Sequence, residues 1–296
     1  MTYDHCPYCK STDIEFAFSA KDYTVTGEQF KVFVCNNCGG YLTQDVPCKQ
    51  QIGRYYQSEN YISHSDTSKG LVNRLYHLVR NFTLIKKKNL LQKYLDKKYG
   101  SVLDIGSGTG AFLNTMKNCG WQITGIEPDA TARENSKANY GIEALQPDQF
   151  NILADAAFDA ITMWHVLEHV HDLSGQMMTL RRLVKPGGKI FIAVPNPSSA
   201  DAKYYGPAWA AWDVPRHLYH FTPAAMKTLA GRFGFQVVNI HPMWFDSFYV
   251  SLLSEKYKSG KNNFIGGVLR GFSSNVKAIS KKEACSSLIY VLEPAK

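Results

Sequence analysis

The sequence predicts an α/β protein with a doubly wound, seven-stranded, mostly parallel sheet, preceded by a small cysteine-rich module and carrying a helical insertion before its last strand. Three observations lead there. From residue 101 onward short apolar runs alternate with helical segments, the mark of a parallel sheet covered by helices on both faces. Four of the seven cysteines form CPYC at 6–9 and CNNC at 35–38. The last two strand-like runs, 235–240 and 286–293, are separated by 45 residues that carry aromatics, glycines and lysines without strand character.

The elements follow in order. Residues 1–50 form the cysteine module, with alternating stretches such as FKVFV at 30–34 suited to short strands. Residues 51–98 are a connector: a polar, tyrosine-rich loop at 54–65, then one long amphipathic helix over about 70–97, on which Leu71, Leu75, Leu78, Phe82, Ile85, Leu91 and Leu95 recur near helical spacing. Residues 99–296 form the main domain. Its strands are expected at 101–105, 122–126, 142–145, 158–163, 189–194, 235–240 and 286–293. Gly187-Gly188 turns the chain into the fifth of these, and Thr222-Pro223 reads as a helix N-cap followed by proline at the first helical position. In the insertion at 243–285, the stretches 245–257 and 264–279 look amphipathic. They suit a cap over the active site, a homodimer contact or a membrane surface, the first two being the plainer expectations.

Composition narrows the function. With 45% hydrophobic and 20% charged residues the chain has the balance of a soluble globular protein, not a disordered one. No window approaches a transmembrane span, and the first residues, MTYDHCPYCK, lack the blocks of a signal peptide, so the cytoplasm is the expected compartment. The net charge of +8 favours an anionic partner only weakly. Much of it sits in runs such as KKK at 86–88, which read as solvated helix faces.

In a reducing compartment paired Cys-x-x-Cys motifs point to metal rather than disulfides. Two residues between paired cysteines let one turn present both sulfurs to one ion, so Cys6, Cys9, Cys35 and Cys38 are expected to hold one structural zinc in a ribbon or knuckle. Four thiolates leave no open position, so the metal's task there is folding, not catalysis.

The segment VLDIGSGTG at 102–110 sets an apolar strand directly before Gly106, Gly108 and Gly110, and a helix pattern follows. Glycines there permit positive φ and close approach of backbone to a ligand, and Asp104 near the strand end is placed to accept hydrogen bonds from an amine or from loop amides. The next strand ends in Glu127, about 20 residues beyond the loop, where an acidic side chain can accept both hydroxyls of a ribose. VLDIGSGTG with ITGIEP at 123–128 resembles motifs I and II of class I methyltransferases dependent on S-adenosylmethionine (SAM). FDAITMWHVLEHV at 158–170 and LRRLVKPGGKIFIAVPN at 180–196 are similar to that superfamily's further motifs, so the resemblance covers about 99–240.

The resemblance implies a Rossmann-like fold with SAM as cofactor. Gly106, Gly108 and Gly110 would flank its methionine part, Glu127 its ribose, and Trp164 and His165 would lie beside it. Asp148 is the nearest candidate for the adenine, with Gln149 and Asp155 as alternatives. SAM carries its own activated methyl, so the protein mainly aligns a nucleophile and excludes water. An oxygen or carbon nucleophile also benefits from a base, for which His165, His169, His217 and His220 are the candidates. Glu168 either shares that work or orders the loop through a hydrogen-bonded pair with histidine.

WDVPRHLYHFTPAAMKTLAGRFGF at 212–235 resembles a segment of bacterial methyltransferases thought to act on sugars, lipids or small metabolites. Within it Arg216, His217 and Tyr219 are candidates to line the acceptor pocket, Arg216 by gripping a phosphate or carboxylate; the alternative is helix capping and core filling. Chains that join a four-cysteine zinc module to this core also look like C-methyltransferases of deoxysugar biosynthesis. O- or C-methylation of a small molecule or glycan precursor is therefore the leading expectation. An RNA-base methyltransferase that uses the zinc module for recognition, similar to ribosomal RNA guanine methyltransferases, is the second. A SAM-binding interaction protein without catalysis is the third.

Overall fold

The computed structural model describes residues 1–57 and 71–295, and their side chains except those of 71–78. The expected loop at 54–65 therefore lies outside the described residues from position 58, and 54–56 belong to a short 3-10 turn, Ile52–Tyr56. The connector helix α1 runs Leu71–Leu95.

The main sheet has six strands among the described residues, in the order β5-β4-β6-β7-β10-β9. Strands β4 (Ser101–Ile105), β5 (Gln122–Ile126), β6 (Phe158–Trp164) and β7 (Val184–Pro195) pair in parallel. β10 (Ser287–Pro294) runs antiparallel to both β7 and β9 (Phe235–Pro242). Every residue of β4 is buried, as befits a central parallel strand covered on both faces. Helices α2 (Ala111–Lys117), α3 (Ala130–Tyr140), α4 (Leu173–Leu183) and α6 (Pro223–Arg232) connect the strands. Thr222 caps α6 by accepting from the Ala225 amide at 3.1 Å, with Pro223 next to it.

The seventh strand expected at 142–145 is absent among the described residues. Leu145 makes a single parallel bridge to Ile126, after which Pro147 opens a 3-10 turn, Pro147–Ile152. Proline has no amide hydrogen to continue a ladder and favours the start of a helical turn, so pairing stops after one residue. The insertion is helical: α7 (Asp246–Ser259) packs on α8 (Phe264–Ser280). Buried Asp201, in the short helix α5 (Ala200–Tyr205), ties it down by accepting from Trp209 Nε1, Ser274 Oγ and Ser286 Oγ at 2.6–2.8 Å. No helix among the described residues is long and apolar enough to cross a membrane.

The N-terminal module is a meander of β1 (Ile14–Lys21), β2 (Gln29–Cys35) and β3 (Tyr41–Thr43). Its fourth strand comes from the main domain: β8 (Tyr219–His220) pairs antiparallel with β3. Beneath this seam lies Arg216, fully buried. Its Nε and one terminal nitrogen donate to the Asp213 carboxylate at 2.9 and 2.6 Å. That same nitrogen reaches Asp22 Oδ1 at 3.0 Å, and the other donates to the Tyr55 carbonyl at 2.7 Å.

Arg216 is thus spent on holding the module, the connector and the main domain together, in place of the anion grip expected from the sequence. Tyr219 is also committed to the seam, its hydroxyl accepting from Tyr3 at 3.0 Å and donating to the His171 carbonyl at 3.3 Å. Removing one partner of a buried ion pair strands the others, at a cost of about 3–5 kcal/mol. Arg216→Met is therefore expected to lower unfolding free energy by about that much in urea titration. An unchanged midpoint would return Arg216 to the substrate side.

Candidate active site

The strand order reverses beside β4, and ligands of such sheets sit beyond the carboxyl ends of the strands at that reversal. The loop there is built as the sequence anticipates. Gly106, Gly108 and Gly110 all have positive φ. At Gly106 a Cβ would come within 2.4 Å of Val166, whereas at Gly108 it would meet nothing within 4 Å. Gly106 therefore serves packing, and Gly108 leaves its face of the loop open.

Glu127, just past β5, is buried and closes the loop, accepting from the Gly108 amide at 2.8 Å and the Asp129 amide at 2.9 Å. Asp104 is buried under the loop and accepts from Thr162 Oγ1 at 2.5 Å. Burial lifts its pKa to about 7 against that hydrogen bond and the charge of Lys87. Ser107 Oγ in the loop, Ser136 Oγ beside Gly110 and Trp164 Nε1 at the end of β6 are buried without hydrogen-bond partners among the described residues. Unpaired polar atoms clustered at one edge fit a polar ligand.

The other expected contacts are more scattered. Asp148 is exposed in the turn after Leu145, Gln149 caps that turn by accepting from the Gln146 amide, and Asp155 is held by Arg182 at 2.7 Å. Two residues that the sequence reading overlooked stand at the site. Lys87, placed among solvated lysines, instead turns inward and sets its ammonium 4.2 Å from the centre of the Trp164 ring. Burial lowers its pKa to about 8, although Asp104 and Asp246 oppose the shift. The readable signal was its position one helical turn from Leu91, which is fully buried. The second is Asp246 at the start of α7, 3.0 Å from His165 Nε2.

His165 has a φ of +59°, a backbone state that costs a non-glycine residue energy and occurs often at functional sites. Its Nδ1 lies 3.4 Å from Glu168 Oε1. Burial disfavours the cation, yet Asp246 and Glu168 outweigh burial and raise its pKa to about 10. Glu168 is fully buried. Burial works against its charge, but His165, His169 and His217 hold its pKa below the usual range.

His169 Nδ1 sits 3.0 Å from the Tyr56 hydroxyl and 3.1 Å from the Arg216 carbonyl, with burial first and His217 second lowering its pKa to about 4. His217 lies edge-on to His169, ring centres 4.6 Å apart. Its Nδ1 donates to the Ala211 carbonyl at 2.9 Å, and its Nε2 lies 3.9 Å from Asp213 Oδ2. Glu168, His169 and His217 thus bring three acceptor atoms within 4.8 Å of one another, a set suited to taking a proton or holding a cation. His220 is buried in the seam, its ring centre 6.3 Å from that of His217, with Nε2 3.0 Å from Thr43 Oγ1 and its pKa pushed far down, chiefly by burial.

In the module, the Cys6 and Cys38 sulfurs are 3.5 Å apart, as are those of Cys9 and Cys35, and all four fall within 4.8 Å of one another. Lys10 and Gly39, each following a Cys-x-x-Cys pair, take positive φ and complete two like knuckles.

A strand, an open glycine loop, a helix and an acidic residue closing the next strand together define a nucleoside-cofactor type of α/β domain. Residues 78–240 match the family model described as a methyltransferase domain, and the chain belongs to that family. Ubiquinone biosynthesis O-methyltransferase of Xanthomonas oryzae pv. oryzae is 29% identical over 140 residues, 43% of this chain and 57% of the relative, so this chain spans little more than half the length of that protein. The protein of the same name from Aeromonas salmonicida is 30% identical over 176 residues, 54% of this chain and 71% of the relative. Among solved structures, a chain described as a sarcosine dimethylglycine methyltransferase from Galdieria sulphuraria aligns at a TM-score of 0.50 and 13% identity, over 75% of this chain and 88% of that one, a likeness of fold.

The His165–Asp246 contact carries a pH signature. An unfolded histidine titrates near about 6.5 and the folded one at about 10, so the contact stabilises the fold fully below about pH 6.5 and loses its contribution as pH rises through about 10. Melting temperature followed from about pH 6 to pH 10.5 should show that decline. In Asp246→Asn it should be flattened, and an identical slope in both proteins would refute the assignment.

Proposed function

We propose that this protein transfers a methyl group from SAM to an oxygen of a small-molecule acceptor. The observation that carries the reading is the open glycine loop closed by Glu127, in a chain whose residues 78–240 match the methyltransferase domain. The acceptor class rests on the relatives, named for O-methylation in ubiquinone biosynthesis.

SAM, when bound, supplies the activated methyl; the chain's own groups hold and screen it. The backbone around Gly106, Gly108 and Gly110 would line its methionine part, where Asp104 and Lys87 offer opposite charges to its amine and carboxylate. Glu127 would take the ribose hydroxyls, Trp164 would pack beside it, and Asp148 is the candidate for the adenine. His165, already ion-paired as a cation, is suited to fixing the site rather than accepting a proton. His217, grouped with Glu168 and His169, is the candidate to receive the acceptor's hydroxyl proton, and excluding water there is worth on the order of several kcal/mol of barrier.

We further propose that Cys6, Cys9, Cys35 and Cys38 hold one structural zinc. Four sulfurs at about 2.3 Å around one ion lie about 3.8 Å from each other, close to the spacing of these thiols. Metal analysis should find near one zinc per chain. Metal-free protein with four freely titratable thiols would refute this.

Glu127→Ala should weaken SAM binding by about 2–4 kcal/mol in calorimetry, through loss of two charge-assisted hydrogen bonds. Undiminished affinity would remove Glu127 from the ribose. Labelled SAM offered to fractionated cell extract should place its methyl in small molecules. Label in RNA would instead select the RNA-base reading, and label in glycan a sugar acceptor.

A further inference from the structure

Helix α8 buries its small residues and exposes its large ones. Gly267, Gly271, Ser274 and Ala278 are buried, and at Gly267 and Gly271 a Cβ would come within 2.8 Å of the Leu252 and Phe248 Cα atoms, so α8 meets α7 nearly backbone to backbone. On the other side Phe264, Ile265, Leu269, Phe272, Val276 and Ile279 are 48–73% exposed. At 3.6 residues per turn five of these six fall on one narrow stripe, with Phe264 at its edge. Single exposed apolar residues are ordinary on a protein surface, whereas a continuous stripe of large ones marks a surface that meets a partner.

Charge distinguishes the partner. From residue 256 to 282 the chain carries Lys256, Lys258, Lys261, Arg270, Lys277, Lys281 and Lys282 and no aspartate or glutamate. A second copy of this helix would bring those cations against their own kind. An anionic surface neutralises them and receives the apolar stripe at the same time. Arg270 is held on the flank of the stripe, its guanidinium 3.9 Å from the Tyr204 ring centre, and Lys258 reaches the same ring at 4.3 Å. Two cations are thereby gathered beside a groove of about 380 Å³ lined by Tyr204, Glu255, Asn263, Gly266, Leu269 and Arg270.

We propose that α8 lies flat on an anionic phospholipid bilayer, with Ile265, Leu269, Phe272, Val276 and Ile279 among the acyl chains and the flanking lysines and arginine at the lipid phosphates. The docked face adjoins the active site through α7, whose first residue pairs with His165 and whose neighbour Phe245 packs on Phe82 of α1. The inference rests on α8 and the cations beside it, and stands whatever the methyl acceptor is.

Flotation of the full chain with vesicles tests it. With roughly one third phosphatidylglycerol in phosphatidylcholine at about 0.1 M salt the protein should float, and at least tenfold less should float with pure phosphatidylcholine or at about 0.5 M salt. Leu269→Glu with Phe272→Glu, and separately Lys277→Glu with Lys281→Glu, should each lower binding at least tenfold. All four positions are exposed, so melting temperature and SAM affinity should match the parent. Equal flotation by parent and variants, or no flotation of the parent with anionic vesicles, overturns the proposal. So does a concentration-dependent dimer that the Leu269 and Phe272 substitutions abolish, since that outcome gives the stripe to a second copy.

Discussion

The Arg216 guanidinium, buried among Asp22, Asp213 and the Tyr55 carbonyl, is the constraint on which the arrangement of the chain depends. A buried cation is tolerated only when its donors are met, and these acceptors come from the module, the connector and the main domain. The three units therefore cannot shift independently without stranding a charge. Next in sequence is His217, so the same anchor fixes where its ring meets His169. Asp22 is itself held by the amides of Thr24, Val25 and Thr26, which presents its carboxylate in one orientation.

Carboxylates at this end of the sheet differ by environment rather than by kind. Asp104 sits under the loop with one hydroxyl donor and is pushed toward neutrality by burial. Glu168 is buried as deeply, but the His165, His169 and His217 imidazoles near it hold its pKa below the usual range. Glu127 has both oxygens engaged, and they pin the glycine loop to the start of α3. One sheet edge thus carries three acidic side chains whose environments set them apart, within a few residues of strand end.

Much of this was legible in sequence because it is local. Strands β4, β5 and β10 fall within one residue of the runs that announced them, since short stretches rich in apolar and β-branched residues between turn signals have few other places in a layered sheet. The glycine loop and the cysteine pairs were legible because their spacing is itself the geometry. The strand at 142–145 misled because its apolar run looks adequate until Pro147 ends the ladder. Arg216 looked like a pocket residue because nothing near it in sequence reveals Asp22, 194 positions away. Lys87 was hidden by its neighbours in the KKK run, and Asp246 by an insertion whose docking no periodicity encodes.

The pairing of β3 with β8 also bears on how the chain is made. Thr43 and His220 meet across 177 residues, so the module's sheet cannot be completed when its cysteines leave the ribosome. Until residue 219 is synthesised, β3 presents an unpaired strand edge, and Tyr8 lacks the His220 amide that its hydroxyl accepts. The nascent module is thus at its most adhesive during synthesis of the main domain, and a chain truncated within that span retains the exposed edge for good.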